Sequence, residues 1–304
     1  KKHKITYIKG TGRLAGKKSV AVKNADGKEE THDAKKAIVI STGSRVRGLP
    51  QAGLELDKNL VISSDEALTL AQAPKTLAVV GCGAVGVEFA DVFSSFGTQV
   101  TLIEVLPTLL PLEDDDVSAE LARSFKKRKI DVMTDAKITS AKVGTESVAL
   151  TVEVKGEKKS LTVDKVLVAT GRAPNVEGIG LEEAGVQLTD RGFIKIDAKM
   201  ATTADGIYAI GDVAGPPMLA HKAEHEGVVC IEAIKGLHPH PMNKAMIPGC
   251  TYCSPQVASV GLTEQAAKEK KLDIRVGRFP FVGNGKAIAL GEDQGLVKVI
   301  FDKK

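Results

Sequence analysis

The residues with the clearest chemistry form a glycine-rich run that follows a short apolar strand. Leu77 to Val80 is apolar, and Gly-x-Gly-x-x-Gly follows it directly, before a segment with helical periodicity. Here the first glycine permits a tight turn, the second lets backbone approach a pyrophosphate, and the third lets the helix pack on the strand. The free N–H groups and dipole of the helix start favour phosphate, so we predict a dinucleotide-binding turn, with a ligand-free turn as the alternative. Its members are Gly81, Cys82, Gly83, Ala84, Val85, Gly86, Val87 and Glu88.

An acidic residue lies where the next strand is predicted to end. Glu104 closes the run from Gln99 to Glu104 and lies 23 positions after Gly81. An acid at this place accepts a hydrogen bond from the adenosine ribose 2′-hydroxyl and repels a 2′-phosphate. The position therefore favours NAD over NADP. A solvated glutamate at a strand end is the alternative interpretation.

A second carboxylate follows another apolar strand. The run from Thr203 to Val213 contains Ile207 to Ile210 and then Gly211-Asp212. A strand that ends in this way places Asp212 at the carboxyl edge of a sheet, where ligands bind in α/β folds. A strand-end turn without a ligand would give the same pattern.

The order of strands and helices indicates how these motifs are positioned. Short alternating strands are predicted over residues 7–40 and 138–168, whereas strands and helices alternate between them. That alternation is typical of a parallel sheet with right-handed crossovers. The strand ends Thr42-Gly43 and Thr170-Gly171 are similar, which suggests that the chain leaves one domain, builds a second and returns to the first.

We therefore predict an α/β protein with a Rossmann-like domain inserted into another domain. The remaining C-terminal residues mix strands with a helix from Thr263 to Lys271 and are predicted to form an incomplete α+β unit. The predicted boundaries are 1–50 with 172–244 for the first domain, 51–171 for the inserted domain and 245–304 for the last unit.

Composition excludes several other classes of protein. The chain has 304 residues and a formal net charge of +4, which is too small to indicate nucleic-acid binding. No apolar run reaches the roughly 18 residues that a membrane span needs. Four cysteines are too few for a disulfide scaffold of this length, so a reducing cytoplasm is the expected location.

Several further motifs resemble those of the pyridine-nucleotide disulfide oxidoreductases, and within that family those of the dihydrolipoamide dehydrogenases. The run that ends in Asp212 resembles the second flavin motif of the family, and the two Thr-Gly strand ends resemble its domain-crossing motifs. The resemblance covers essentially the whole chain in collinear order. The narrower likeness is in Met218 to Ala223, Ile247-Pro248-Gly249 and Pro255 to Glu264.

The resemblance implies a homodimeric flavoprotein that reoxidises dihydrolipoyl groups. Electrons would pass from the dithiol to an enzyme disulfide, to FAD and then to NAD⁺. The implied partner is the lipoyl domain of the acyltransferase component of 2-oxo acid dehydrogenase complexes. The first domain would then be a partial FAD-binding domain, the inserted one the NAD-binding domain, and the last a truncated dimerisation domain.

By motif matching, the resemblance also assigns residues to each cofactor. Ile138 and Gly171 would join the glycine-rich run and Glu104 at NAD, and the Asp212 carboxylate would contact the ribityl chain of FAD. The residues assigned to FAD are Gly12, Thr42, Gly43, Ser44, Asp212, Met218, Leu219, Ala220 and His221.

Parts of the family pattern are not in this sequence. It contains neither the first Gly-x-Gly-x-x-Gly of the family, nor its redox Cys-x-x-x-x-Cys pair, nor its C-terminal His-Pro motif. Both ends, including a strand-like Lys4 to Ile8, are therefore expected to continue in a longer protein. We assign no catalytic residue, and we expect these 304 residues alone to be inactive on lipoamide and to hold FAD weakly or not at all.

Two alternatives for the function stay open. The parent protein could be a related NAD(P) disulfide reductase or transhydrogenase, although Glu104 argues against the NADP-using relatives. The chain by itself could be a nucleotide-binding module without catalysis. No metal site is predicted, because Cys250 and Cys253 have no second cysteine pair beside them. His238 and His240 are interpreted as part of a surface loop.

Glu104→Arg tests the NAD assignment. The substitution removes the acceptor for the 2′-hydroxyl and supplies a partner for a 2′-phosphate. Cofactor preference is expected to move toward NADP by about 1 to 3 kcal/mol, the range for one charged hydrogen bond. Calorimetric titration of both proteins with NADH and NADPH measures the change, and an unchanged ratio would contradict the assignment.

Overall fold

The computed structural model describes residues 4–303, which form a mixed α/β structure. The strands are β1 (Thr11–Leu14), β2 (Ser19–Lys23), β3 (Glu29–Asp33), β4 (Ile38–Ile40), β5 (Ser44–Val46), β6 (Val61–Ile62), β7 (Thr76–Val80), β8 (Gln99–Ile103), β9 (Asp131–Met133), β10 (Ala136–Val143), β11 (Val148–Val154), β12 (Glu157–Val163), β13 (Lys165–Val168), β14 (Arg172–Pro174), β15 (Ile207–Ala209), β16 (Gly249–Thr251), β17 (Val257–Ser259), β18 (Ile274–Pro280) and β19 (Leu296–Asp302). The α-helices are α1 (Ser64–Ala67), α2 (Ala84–Ser95), α3 (Asp115–Lys127), α4 (Leu181–Ala184), α5 (Ala220–Ile234), α6 (Glu264–Glu269) and α7 (Gly285–Leu290).

The chain divides into two compact units. One runs from the start of the described chain to residue 45 and resumes over 172–244, and the other comprises 46–171 and the residues from 245 onward. The predicted fold class, a dinucleotide-binding unit inserted into a second α/β unit and followed by a smaller α+β segment, is confirmed. The three predicted domain boundaries remain predictions.

A five-stranded parallel sheet forms the centre of the second unit. Its strand order is β6-β13-β7-β8-β9, and every neighbouring pair is parallel. Strands β7, β8 and β13 are almost wholly buried along their length. They are continuous apolar runs because both faces of the sheet are covered, as parallel sheets require. The predicted strand–helix alternation is therefore present from Thr76 to α3.

The two faces of this sheet carry different layers. Helices α2 and α3 cover one face, where Val79 and Leu102 pack with Phe93 and Phe125. The antiparallel sheet β10-β11-β12 covers the other, where Ala78 and Ile103 of the parallel sheet share a core with that sheet's buried side chains. The glycine-rich turn lies at the carboxyl edge of the parallel strands, directly after β7.

The first unit contains smaller sheets around its own core. Strands β1, β2 and β3 form an antiparallel sheet, β4 pairs in parallel with β15, and β5 pairs with β14. Helix α5 follows the turn after β15. The strand expected from Lys4 to Ile8 is not formed. These residues have no regular secondary structure, and their side chains are exposed. Isoleucine and tyrosine alternate there without a neighbouring strand to pair with.

Residues from 245 onward form two antiparallel pairs, β16-β17 and β18-β19, with α6 starting at its N-cap Thr263. Ion pairs attach this segment to the N-terminal end of α3. The ammonium of Lys298 lies 2.6 Å from Asp114, 2.8 Å from Asp116 and 2.7 Å from Glu264. None of the helices between residues 4 and 303 has the length and apolar character needed to cross a bilayer.

These ion pairs predict a pH-dependent stability. Hydrogen bonds from Lys268 and then Lys298 lower the pKa of Glu264 to about 2, so its contribution is complete above its usual pKa of 4.5 and is lost as the pH falls toward 2. Lys298→Met is expected to lower the free energy of unfolding at pH 7 by about 1.5 to 3 kcal/mol, since it removes an ammonium that three partly buried carboxylates share. Urea unfolding at several pH values measures both effects.

Lys303→Met is the matched control, because Lys303 pairs with Asp273 on an exposed surface, where an ion pair contributes about 0 to 1 kcal/mol. Equal destabilisation by the two substitutions would contradict the role given to Lys298.

Candidate dinucleotide-binding sites

The glycine-rich turn brings three backbone segments into close contact. Gly81 has φ +98°, and a Cβ there would lie 2.6 Å from the carbonyl oxygen of Ala169, just after β13. A Cβ on Gly86, in the first turns of α2, would lie 1.8 Å from the carbonyl oxygen of Gly81. Only glycine fits at either position. The end of β7, the end of β13 and the start of α2 are therefore packed backbone to backbone.

Gly83 differs from these two glycines, because the space beside it is open. It is the N-cap of α2, with extended backbone and no side chain capping the helix. A Cβ built on Gly83 would meet no atom within 4 Å. Ala84 and Val85, the first residues of this twelve-residue helix, are exposed at the carboxyl edge of the sheet. This is the arrangement in which a helix start binds phosphate oxygens, so the residues present fit a pyrophosphate.

Glu104 stabilises the same turn from the neighbouring strand. Its Oε2 atom accepts a hydrogen bond of 2.7 Å from the Cys82 N–H, and its Oε1 atom accepts one of 2.9 Å from the Leu106 N–H. The side chain is buried rather than solvated. Burial, and then the charge of Glu104, raise the pKa of the Cys82 thiol far above its usual value, so this cysteine is an inert thiol.

The burial of Glu104 changes how the substitution of this residue by arginine must be read. An arginine would leave the N–H groups of Cys82 and Leu106 without their acceptor and would bury a guanidinium in their place. A change of cofactor preference in Glu104→Arg is therefore informative only when the unfolding midpoint is measured beside it. The assignment of Glu104 to the ribose remains a prediction.

The other residues predicted at NAD lie in different surroundings. Gly171 lies between β13 and β14, directly before β14, and has φ +116°. Ile138 is buried in β10, in the core beneath the parallel sheet. Val87 is fully buried, whereas Ala84 and Val85 are exposed on α2. The Glu88 carboxylate accepts a 2.7 Å hydrogen bond from the Tyr252 N–H, so it already holds the C-terminal segment.

In the first unit, hydrogen bonds join the Thr42-Gly43 turn to Asn175, four residues after Gly171. The Thr42 hydroxyl donates to the Asn175 carbonyl at 2.7 Å, and the Asn175 amide donates back to the Thr42 carbonyl at 2.9 Å. Gly43 has φ +70°, and its carbonyl accepts from the Asn175 N–H. This turn places Ser44 beside the residues that follow β15.

Asp212 and Ser44 are in direct contact. The Ser44 hydroxyl donates to Asp212 Oδ2 at 2.5 Å and accepts from Arg172 Nε at 2.6 Å. Arg172 also donates to the Ser44 carbonyl. One carboxylate oxygen of Asp212 is thus fixed by Ser44, and the partly buried side chain lies after the carboxyl end of β15, as predicted. Arg172 directly follows Thr170-Gly171 in the chain, and its contact with Ser44 was not predicted.

The predicted segment Met218 to His221 forms the start of α5. Leu219 is the N-cap and makes no side-chain capping bond, so this helix also begins without a protein cap. An open helix start beside a strand-end carboxylate fits a dinucleotide. Gly12 lies in β1 opposite Val22, and its place at FAD remains a prediction.

Two residues that sequence analysis missed lie directly behind this turn. Lys222 and Glu226 are fully buried on α5 and form an ion pair of 3.1 Å. Their opposite charges and spacing of four residues, which place them one turn apart on a helix, were the available signal.

The cysteines and histidines near the C-terminus, for which the sequence predicted no metal site, do not cluster with one another in the described residues. Cys253 is buried, its thiol donates to the Pro255 carbonyl, and burial raises its pKa to about 12. Cys250 is exposed, and His238 and His240 lie in an irregular loop after α5. Among residues 4–303, no group of three or more metal-binding side chains is present.

Comparison with known proteins gives the family. The family model described as "Pyridine nucleotide-disulphide oxidoreductase" matches residues 1–227, and the dimerisation domain of that family matches residues 247–304. The chain belongs to the pyridine nucleotide-disulphide oxidoreductases.

Individual relatives give a more specific comparison than the family model does. The chain is 51% identical over 321 residues to the dihydrolipoyl dehydrogenase of Rhizobium etli, covering 100% of this chain and 66% of that protein. It is 40% identical to the dihydrolipoyl dehydrogenase of Bacillus subtilis, covering 100% of this chain and 65% of that protein. The chain therefore spans slightly less than two thirds of the length of these relatives.

Two solved structures share this fold over almost the whole chain. LpdA from Mycobacterium tuberculosis superposes with a TM-score of 0.88 at 26% identity, over 98% of this chain and 65% of that one. The HOCl-induced flavoprotein disulfide reductase RclA from Escherichia coli gives 0.87 at 27% identity, over 98% of this chain and 66% of that one.

Gly86→Ala is expected to disrupt the turn. Its Cβ would overlap the Gly81 carbonyl, which belongs to rigid backbone, so we expect the free energy of unfolding to fall by about 3 kcal/mol or more. Chemical denaturation measures the change. Gly277→Ala is the control: its Cβ meets nothing within 4 Å, and it should change stability by about 0.5 kcal/mol or less. A Gly86→Ala protein as stable as this control would refute the close backbone packing.

Proposed function

We propose that the chain carries the NAD-binding part and a portion of the FAD-binding part of a flavoprotein that oxidises protein-bound dihydrolipoamide with NAD⁺. The observation that carries the proposal is the uncapped start of α2 at Gly83, open to solvent and set beside the Gly81 turn. Identities of 40% to 51% with dihydrolipoyl dehydrogenases support the choice of substrate class.

The NAD part is built from the turn, α2 and Glu104. The N–H groups at the start of α2 would bind the pyrophosphate, and the glycine at position 83 would let the phosphates approach the backbone. Glu104 keeps the turn in shape through the Cys82 N–H, and its negative charge at the end of β8 disfavours a 2′-phosphate. Bound NAD⁺ would supply the hydride acceptor of the reaction.

The FAD part is built from Ser44, Asp212 and the start of α5. Ser44 holds one oxygen of the Asp212 carboxylate, which orients the group at the end of β15. The open N-terminus of α5 follows after a short loop. Bound FAD would carry the electron pair between a dithiol and the nicotinamide. We also keep Gly12, Thr42 and Gly43 as proposed contacts of this part.

The remaining steps of the reaction are not assigned to residues of this chain. A redox pair with four residues between its cysteines does not occur among Cys82, Cys230, Cys250 and Cys253. The thiols of Cys82 and Cys253 are buried with raised pKa values, which opposes formation of a thiolate. The chain alone is therefore proposed to bind nucleotide without oxidising lipoamide and to hold FAD weakly.

We propose a homodimer as the assembly and a lipoyl domain of a 2-oxo acid dehydrogenase complex as the substrate carrier. The dimerisation-domain match supports the first. One face of the β18-β19 pair also exposes apolar side chains that a partner surface would cover: Phe279, Val297, Val299 and Phe301. A cytoplasmic location remains a proposal that rests on cysteine usage, because the relatives include a mitochondrial enzyme of Arabidopsis thaliana.

A related disulfide reductase is the second candidate, because RclA shares the fold over almost the whole chain. The two candidates differ in substrate and not in the nucleotide-binding residues described above. The higher identity to dihydrolipoyl dehydrogenases favours the first.

Gly83→Ala tests the proposed NAD site. The methyl group would occupy the open space where the pyrophosphate is proposed to lie, so NADH affinity is expected to fall by about tenfold or more, the equivalent of about 1.4 kcal/mol. The free energy of unfolding should fall by no more than about 1 kcal/mol, because that Cβ contacts no protein atom and only the poorer N-cap preference of alanine acts. Isothermal titration calorimetry with NADH and NADPH gives the affinities, and the parent chain should prefer NADH.

Gly277→Ala again serves as the matched control, and its NADH affinity should equal that of the parent. Undiminished NADH binding by Gly83→Ala would show that the phosphates lie elsewhere. A parent chain that binds neither nucleotide would overturn the proposed function itself.

A further inference from the structure

A fully buried ion pair lies in the first unit, outside the residues assigned to either cofactor. Lys222 and Glu226 are one helical turn apart on α5, and neither side chain has any exposed surface. Isolated buried charges are costly, and a buried pair is weak evidence for stability, because its attraction offsets its desolvation only with further hydrogen bonds. The partners of this pair therefore indicate what it does.

Those partners are backbone atoms of the turn that carries Asp212. Glu226 Oε2 accepts from the Gly211 N–H at 2.7 Å. The Lys222 ammonium donates to the Gly211 carbonyl at 3.0 Å and to the Gly215 carbonyl at 2.8 Å. The pair thus holds both polar atoms of the residue before Asp212 and one atom of the residue three positions after it.

The turn needs such support because its backbone is unusual. Gly211 has φ +76° and Gly215 has φ +109°, both in the left-handed range. Glycine has little intrinsic preference for a single conformation, so external hydrogen bonds must select one. Asp212 receives a direct bond from Ser44 on its other side, which fixes the carboxylate but not the backbone behind it.

We propose that Lys222 and Glu226 are positioning residues that set the backbone of the Gly211–Gly215 turn and, through it, the direction of the Asp212 carboxylate. This inference rests on the proposed function in so far as Asp212 faces FAD. Neither residue is among those proposed to contact FAD. They act on Asp212 from behind, through main-chain atoms.

Glu226 has a further feature that fits positioning better than stabilisation. Its Oε1 atom is buried and has no hydrogen-bond partner within the described chain. A carboxylate selected only for stability would be satisfied at both oxygens or replaced by an apolar side chain. Here one oxygen is used for the Gly211 N–H and the ammonium, and the other is left without a partner.

The test compares variants of the 304-residue chain that remove the bond or keep its geometry. Glu226→Gln retains an oxygen for the Gly211 N–H, whereas Glu226→Ala removes it. Lys222→Met keeps the side-chain length without the donor, and the double variant Lys222→Met/Glu226→Gln contains no buried charge and guards against misfolding of the single variants. Glu224→Ala, on an exposed position of the same helix, is the matched control.

Two measurements are made on each variant. Amide hydrogen exchange, resolved by NMR, reports the Gly211 N–H and its neighbours without any ligand. Fluorescence titration with FAD reports cofactor affinity. We expect Glu226→Ala to speed exchange at Gly211 by about tenfold or more relative to amides in α5, and to weaken FAD binding by a similar factor, since one charged hydrogen bond is lost. Glu226→Gln should restore most of the protection, and Glu224→Ala should match the parent.

The outcomes separate this inference from the proposed function. Exchange that rises equally throughout the unit, with no difference between the Gln and Ala variants, would show a merely structural pair and overturn the inference. A parent chain that fails to bind FAD at any accessible concentration agrees with the weak binding proposed for these residues, and exchange at Gly211 alone then decides the role of the pair. Local exchange that rises while FAD affinity stays constant would overturn the link from the turn to Asp212 and the cofactor.

Discussion

The contact on which the nucleotide-binding unit depends is between main-chain atoms, at Gly81. The carbonyl of Gly81 lies where a Cβ of Gly86 would be, and the Gly81 α-carbon faces the carbonyl of Ala169. Two missing side chains thus allow β7, α2 and the end of β13 to meet. Any side chain at these positions would separate the helix from the sheet, and the first N–H groups of α2 would no longer lie at the carboxyl edge.

Both units use a buried carboxylate to hold a turn that contains glycine. Glu104 accepts from the Cys82 N–H, and Glu226 accepts from the Gly211 N–H, in each case at 2.7 Å. A carboxylate that accepts a backbone N–H away from water makes a strong hydrogen bond and orders a segment whose glycines would otherwise be mobile. The open helix starts at Gly83 and Leu219 lie next to these two turns.

The sequence was sufficient for features that depend on local pattern. Strands β7 and β8 begin and end within about one residue of the predicted runs, and α2 follows the glycine-rich turn as predicted, because burial on both faces and glycine geometry leave a clear signal. It was insufficient where partners are distant in the chain. The bond between Ser44 and Asp212, and the one from Arg172 to Ser44, join residues more than 100 positions apart.

Pattern also cannot show whether a polar side chain is already engaged. The sequence around Glu104 would be the same whether its carboxylate is free to bind a ribose or is already bonded to two backbone N–H groups. The structure shows the second arrangement. The strand predicted from Lys4 to Ile8 was wrong for a related reason. Alternating apolar residues cannot form a strand without a neighbouring strand that completes their hydrogen bonds. In both cases the missing information is the identity of a tertiary partner.

Carboxylates on α2 and at the start of α3 hold the C-terminal segment against the nucleotide-binding unit. Glu88, in the second turn of α2, accepts from the Tyr252 N–H, and Asp91, one turn later, accepts from the Ser254 N–H and pairs with Arg128. At the start of α3, Asp114 caps the helix and accepts from both the Glu264 N–H and Lys298. Because α2 begins at the glycine-rich turn, the helix that would receive phosphate at one end anchors residues 252–254 along its side. A displacement of α2 therefore cannot occur without strain in these hydrogen bonds, so the turn and the C-terminal segment are mechanically connected through one rigid helix.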